Sequence, residues 1–371
     1  MVVRTNPGVV IPRNTGWSML FKEPDAEFQV SAFTRYEPTN DAEVPRALHL
    51  VVDLAAASLD DAVSEALGNT GGLTTMMAFV GNSHVDSPEL HVAYDVTGDD
   101  AEHEYVQTYR PPVDELPQLG AHLDLTLFEA VHDRLLASKH STRLGMALVQ
   151  YNEALRSLRP AGDVTAAGHL FMAVEALVDV VKKREMQATG FTSDEELAAH
   201  YGIDTTEMYK ARNEITGHLR RTVIFHGDDK THRALKKASD GFEHGFLPIV
   251  EVRKSAEGGH LPAAFHHVRR TICELLDLPA DLVEHLAGIK ATFNDRIHAN
   301  VRGIITGVAS TVEHPSFNEL DFTVDLVGVV PDGEGLRLRL APQVDPDFGD
   351  STQLRDHNFL LYRNRLSTDE K

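Results

Sequence analysis

The chain has 371 residues, of which 42% are hydrophobic and 25% charged, and a formal net charge of -21. That length exceeds one ordinary core, and that composition excludes global disorder. The acidic balance also excludes a surface that binds nucleic acid all over, because such binding rests on neutralising phosphates, so any RNA contact has to be local.

The single cysteine, Cys273, rules out an internal disulfide and a multi-cysteine metal site. It sits in a helical stripe beside Ile272 and Leu276, where a buried, inert thiol is expected. The opening residues, MVVRTNPGVVIPRNTG, lack the continuous apolar run of a signal peptide, and no stretch reads as long enough to span a membrane. A cytoplasmic protein with no cofactor and no metal is the expectation.

Residues 1–117 read as an N-terminal α+β unit. Phe28–Phe33 alternates apolar with small or polar residues, Ala47–Leu54 is a β-branched and leucine run, and Leu90–Val96 alternates again. Between them Ser58 caps a short helix with acidic residues in its first turn. Asn69-Thr-Gly-Gly72 is read as the end of that helix, a C-cap and turn. Its glycines have neither the lysine nor the spacing of a phosphate-binding loop.

Pro111, Pro112 and Pro117 mark a linker, after which the apolar period lengthens to that of a helix. Residues 118–300 are expected to form a helical bundle. Leu123, Leu127, Val131 and Leu135 make one stripe. Leu144, Leu148, Tyr151, Leu155 and Leu158 make another, opened by Ser141 and closed by Pro160. Leu170, Val174, Leu177 and Val181 make a third, near whose C-terminus Lys182-Lys-Arg184 is expected. Ser193-Asp-Glu-Glu196 and Asp204-Thr-Thr-Glu207 both have the form of capping boxes. The first opens a short helix to about Tyr201; the second opens a central helix from Thr205, ending at His226-Gly227-Asp228. A further helix starts near Asp229 or Lys230 and ends or kinks at Pro248. Two amphipathic helices follow, one carrying Leu261, Phe265, Val268, Ile272 and Leu275, the other Leu282, Leu286, Ile289, Phe293 and Ile297. His266-His267, being adjacent, make a poor metal pair.

From about Arg302 the period returns to two. Residues 301–371 read as a C-terminal β-rich segment with strands at Ile304–Val312, Asp321–Val330, Leu336–Leu340 and Phe359–Tyr362, available to pair with the N-terminal unit. Ser367–Lys371 is expected to fray. The fold class is α+β: a central all-α bundle flanked by two β-containing parts.

The most informative stretch is MYKARNEITGHLRRTVIFHGD, Met208–Asp228. Between Met208 and Lys237 eight Lys or Arg stand against three Asp or Glu, inverting the charge balance of the chain. The stretch holds two Arg-to-His spacings, Arg221 to His226 before Gly227, and Arg212-Asn213 to His218. Arg220, Lys230, Arg233, Lys236 and Lys237 form a basic patch suited to phosphate contacts. At about 100° per residue, Arg221 and His226 point roughly 140° apart on a regular helix. They converge only if the helix distorts near Gly227 or if two protomers share the site. Arg212, Leu219 and His226 fall on nearly one face, and His218 lies about 60° from Arg221. The alternative to any site is a plain helix end, with His226 at the negative end of the dipole and Arg212, Arg220 and Arg221 in surface ion pairs.

Arg221-Thr-Val-Ile-Phe-His226-Gly227 is similar to the RxxxxHG motif of the ApeA-like branch of the HEPN superfamily. His169-Leu-Phe-Met-Ala-Val-Glu-Ala-Leu177 resembles the helix that precedes the motif there. The resemblance covers about Leu123–Arg253. Thr222 departs from the Asn, Asp or His usual after the arginine, a position that Asn213 fills in the other spacing. The resemblance implies a metal-independent endoribonuclease, active as a homodimer in stress or phage defence, in which an RNA 2′-hydroxyl attacks its own phosphate. Histidine suits the proton transfer and arginine the developing charge. The other reading is a non-catalytic helical module for a nucleotide or partner protein, or a structural oligomer.

Overall fold

A computed structural model describes residues 1–38 apart from 14, 16 and 23–26, then 43–94, 105–107, 120–158, 162–244, 248, 251, 252, 254 and 259–291, and the backbone of four C-terminal strands. The proline-marked linker, Pro160, Phe293, Val96, residues 307–312 and Ser367–Lys371 lie outside the described residues. The class is mixed α+β.

The N-terminal strands β1 (Val2–Thr5), β3 (Trp17–Lys22), β4 (Glu27–Pro38), β5 (Glu43–Leu54), β6 (Glu89–Tyr94) and β7 (Tyr105–Gln107) form one antiparallel sheet in the order β3-β4-β5-β1-β6-β7. The two-residue period sorts its faces. Val3, Val30, Leu48, Leu50 and Val52 are buried on the inner face, while Arg4, Phe33, Arg35 and His49 share the other. Two short strands, β2 (Val9–Val10) and β8 (Ala121–His122), pair in parallel as a separate two-stranded unit. Their approach demands glycine, since a Cβ on Gly120 would collide with the Pro7 carbonyl oxygen and the Val10 side chain.

The inner face packs on α1 (Leu59–Gly81). This helix overturns the expectation of a stop at Asn69-Thr-Gly-Gly72: it runs straight through both glycines to Gly81 and is capped by Asn82 in a left-handed conformation. Leu73, Met77, Phe79 and Val80 are buried, and their burial outweighs the roughly 1 kcal/mol helix penalty per glycine.

The bundle comprises α2 (Leu125–Ala137), α3 (Ser141–Arg156), α4 (Asp163–Thr189), α5 (Asp194–His200), α6 (Met208–Leu219), α7 (Asp229–His244), α8 (His260–Leu275) and α9 (Ala280–Gly288). Leu123 and Leu158 lie just outside their helices yet are buried. The Ser193 capping box forms as expected, but α6 begins at Met208, not Thr205. Asp204 instead accepts from the Thr206 amide at 2.9 Å in a local turn, and Glu207 pairs with Lys210 at 2.8 Å. Lys182-Lys-Arg184 does not close α4, which continues to Thr189. Lys182 pairs with Asp194, and Arg184 with Asp277 at 2.9 Å. α4 also corrects the membrane reading: it is long and apolar enough to cross one by length and composition, and 72% of its apolar window is buried. It occupies the bundle centre, in contact with α3, α6, α7 and α8.

One buried apolar cluster runs from Val3 and Leu50 of the sheet through Phe79 and Tyr151 to Leu261 and Leu286. Arg269 of α8 lies within it with no exposed surface. Its guanidinium donates to the carbonyls of Phe79, of Val80 at 2.9 Å and of Leu286 at 2.6 Å. Asn82 completes the junction, accepting from the Tyr151 hydroxyl at 2.7 Å and donating to the Ile289 carbonyl at 2.6 Å. The α9 stripe was expected to reach Ile297; the helix stops at Gly288 and Ile297 opens a strand. The C-terminal strands β9 (Ile297–Thr306) and β12 (Gln353–Arg363) pair with each other, as do β10 (Phe322–Asp332) and β11 (Gly335–Val344). Among the described residues none is bonded to the N-terminal sheet.

This packing makes two stability predictions. Replacing Arg269 by Met removes a charged donor from three buried carbonyls, of which those of Phe79 and Leu286 keep one cap amide at 3.3 Å. With three charge-assisted bonds lost, a destabilisation of about 3 kcal/mol or more is expected in urea unfolding, and a loss under about 1 kcal/mol would contradict the assigned role. For His49, burial first, then His91, Arg35 and Arg4, lowers the pKa to about 4. Its unfolded form, near the ordinary value of 6.5, takes up a proton before the folded form does. His49 therefore favours unfolding as pH falls from 6.5 towards 4, with no further change below. His49→Gln should lose less stability than the parent chain between pH 7 and 4.5 in paired urea titrations.

Candidate functional site

α6 buries Ala211, Ile215 and Leu219, and a regular continuation of that stripe would carry His226 into the core beside Leu219. The backbone widens instead. Arg220–Ile224 forms a π-helical turn, in which the Phe225 amide donates to the Arg220 carbonyl at 2.9 Å. The extra residue turns Ile224 and Phe225 inward, both fully buried, and releases His226. His226 and Gly227 then adopt left-handed backbones with φ of 48° and 84°, and the Gly227 amide closes the helix on the Arg221 carbonyl at 2.8 Å. π-turns and left-handed non-glycine residues concentrate at functional sites.

His226 leans towards α8, its side chain 30% exposed. Its Nε2 lies 3.5 Å from the Thr271 hydroxyl and 3.9 Å from a Glu274 carboxylate oxygen. Thr271 donates to the Ile224 carbonyl at 3.1 Å, which leaves an oxygen lone pair for an Nε2 proton. Burial lowers the His226 pKa against the opposing pull of Glu274, with His267 and Arg270 adding to the lowering. The ring is therefore neutral at pH 7, the form that accepts a proton. Beside it, His267 lies 5.7 Å ring to ring and its Nε2 is 3.3 Å from Asp228.

Arg221 faces the other way. Its guanidinium folds back over Gly217, 3.6 Å from where a Cβ would stand. Its charge lowers the pKa values of His218 and His232, in each case after burial. It lines an open groove of about 750 Å³ between the π turn and α7, with Arg220, His232, Arg233 and Lys236 among the other walls. His226 is not part of that lining; Gly227 is. The distortion at Gly227 is thus present, yet within one chain it leaves Arg221 and His226 on different sides of the turn.

The alternative pair is also separated. Arg212 bonds Asp194 at 3.0 Å, joining α6 to α5, whereas His218 stacks on Tyr201 with centroids 4.1 Å apart. Asn213 lies in the groove wall. Arg220 meets Glu175 at 2.5 Å, and Arg233 and Lys236 pair with Asp229 and Asp240. Lys230 and Lys237 are exposed outside the lining. Among the described residues Arg221 has no carboxylate partner, and no group of three or more His, Cys, Asp or Glu is placed to hold a metal. Burial pushes the Cys273 thiol up to about 12, so it is not a nucleophile.

Four residues around the site escaped the sequence reading as site residues: His232, His267, Thr271 and Glu274. The last three recur at i, i+4 and i+7 along α8, a polar stripe that borders the apolar one. That spacing was a usable signal.

These features define a mixed α+β chain with a cationic groove beside a distorted helix end. No family model, curated protein or solved structure matches the chain.

The left-handed backbone at the turn makes a direct prediction. Gly227→Ala should cost about 1 kcal/mol and His226→Gly should raise stability by a few tenths or more, both read by urea unfolding. The opposite signs would contradict the assigned backbone.

Proposed function

We propose that the chain is an RNA-directed protein of HEPN type, a metal-independent endoribonuclease whose working site is shared between two protomers. The observation that carries this reading is the π turn ending in left-handed His226 and Gly227. It exposes Arg221 without a carboxylate partner among the described residues and keeps His226 neutral at the edge of α8. A strained, interrupted helix is a poor choice for a mere bundle element, and both polar groups suit phosphodiester chemistry. Glu175, in the segment that resembles the helix preceding the motif, meets Arg220 next to Arg221, which further supports the reading.

In this mechanism neutral His226 removes the proton of the attacking 2′-hydroxyl, and Arg221 stabilises charge on the phosphoryl oxygens. The bond to the 5′-oxygen breaks as the bond to the 2′-oxygen forms; the 5′-oxygen takes a proton from water, His226 returns its own to solvent, and the product is a 2′,3′-cyclic phosphate. Because one chain holds Arg221 and His226 apart, His226 of one protomer works with Arg221 of the other. The absence of His226 from the groove lining favours one other reading, a non-catalytic module that holds RNA or nucleotide phosphate through Arg221 alone.

Single-stranded RNA incubated with the full chain and a chelator should yield cyclic-phosphate ends. His226→Ala should lower the rate by about 10²–10⁴ and Arg221→Ala by about 10²–10³. The acid limb of the rate profile should fall below pH 6.5, since burial favours the neutral ring and only protonated His226 is inactive. Mixing the two inactive variants should restore part of the activity through hybrid dimers. Cleavage that survives His226→Ala, or a mixture that stays inactive although each variant dimerises, would refute the shared site.

A further inference from the structure

The groove contains an unmet hydrogen-bonding demand. His232, only 5% exposed, forms part of its wall, and neither ring nitrogen has a partner among the described residues. Arg220 Nε and Asp229 Oδ1 are likewise buried without partners. Buried polar atoms are nearly always paired, so three such residues around one groove call for an occupant. The charges say which kind. Arg220, Arg233 and Lys236 each meet a carboxylate, while Arg221, over Gly217, has no carboxylate partner among the described residues. These donors line one groove and suit an acceptor-rich group, and the space of about 750 Å³ admits more than a bare ion. Asp229 Oδ1 needs a donor, which an adjacent ribose hydroxyl supplies and deoxyribose does not.

We infer that the groove is a phosphate-binding subsite, in which Arg221 and Lys236 hold the oxyanion, His232 donates to it and Asp229 accepts from a neighbouring ribose hydroxyl, and that its occupant is an internucleotide phosphate of single-stranded RNA. The identity of that occupant rests on the RNA-directed reading above; the phosphate subsite itself does not. Burial opposes a proton on His232, Arg221 and Arg220 of the π turn and Lys236 of α7 add to that, and Asp229 favours one. A bound phosphate offsets those cations, so occupancy and protonation of His232 reinforce each other. His232 acts as a binding residue, and its side chain turns into the groove to meet the anion.

The test uses the full-length chain carrying His226→Ala, with a labelled ten-nucleotide RNA, the same sequence as DNA, and inorganic phosphate as probes. Arg221→Ala, Lys236→Ala and His232→Phe should each weaken RNA binding about tenfold or more, the effect of losing a charge-assisted hydrogen bond. His232→Phe keeps the edge contact with Phe225, and exposed Lys236 tolerates truncation, so at least one variant remains folded by circular dichroism. RNA should bind more tightly than DNA, and this preference should vanish in Asp229→Ala, which has no acceptor for the ribose hydroxyl. Inorganic phosphate should move the His232 ring titration to higher pH in nuclear magnetic resonance. RNA binding that all three variants leave within twofold of the parent would overturn the subsite while sparing the RNA reading. Phosphate that shifts His232 in a chain that neither binds nor cleaves RNA would keep the subsite and overturn its RNA occupant.

Discussion

The arrangement depends on one buried cation. Arg269 places its guanidinium against the carbonyls that end α1 and the carbonyl of Leu286 near the end of α9. At the helix ends the Phe79 and Leu286 carbonyls each accept only one cap amide, from Asn82 and Ile289 at 3.3 Å, and in an apolar interior such carbonyls need further donors. A guanidinium has five, in a planar fork. It also stacks over Phe79 at 4.8 Å, so the charge is both bonded and enclosed. By satisfying two helix ends at once, Arg269 joins the helix under the N-terminal sheet to the late bundle helices. Together with Thr271, bonded to the Ile224 carbonyl two residues on, it sets the rotation of α8. That rotation turns His267, Thr271 and Glu274 towards His226.

The site is therefore a consequence of packing at a helix end. Ile224 and Phe225 take the inward positions that regular spacing would have given to Val223 and His226. The extra residue costs a hydrogen-bonding register and two left-handed backbones, offset by burying two large apolar side chains. The same widening divides the polar residues. His226 faces α8 in a setting that favours its neutral ring, and Arg221 faces α7 in a groove dominated by cations. In a chain so acidic overall, a local cluster of this sign retains its effect, because fields between exposed charges fade within about 10 Å in salt.

Much of the fold is legible in local sequence pattern. β4 and β6 follow their two-residue alternation and β5 its β-branched and leucine run, α3 starts at Ser141, and the Ser193 box opens α5, all through contacts within a few residues. The departures share a cause at longer range. Gly71 and Gly72 look like a stop, but burial of Leu73–Val80 under the sheet carries α1 through them. Asp204 has the form of a cap, but it closes a turn on Thr206 instead. Lys182 and Arg184 look like a helix end and are bonded to carboxylates on other segments.

The sequence alone was enough to determine the α+β class, the position of the helix end at His226-Gly227 and the local inversion of charge, because each is set by residue type and short spacing. The tertiary structure alone decided which way Arg221 and His226 point and which groups surround them. A helical wheel assumes a constant step, and the step changes where Ile224 and Phe225 compete for the core. His232 became unpartnered only through its burial against Phe225, and Glu274 met His226 only across 48 residues of chain. Neither relation has a short-range signature.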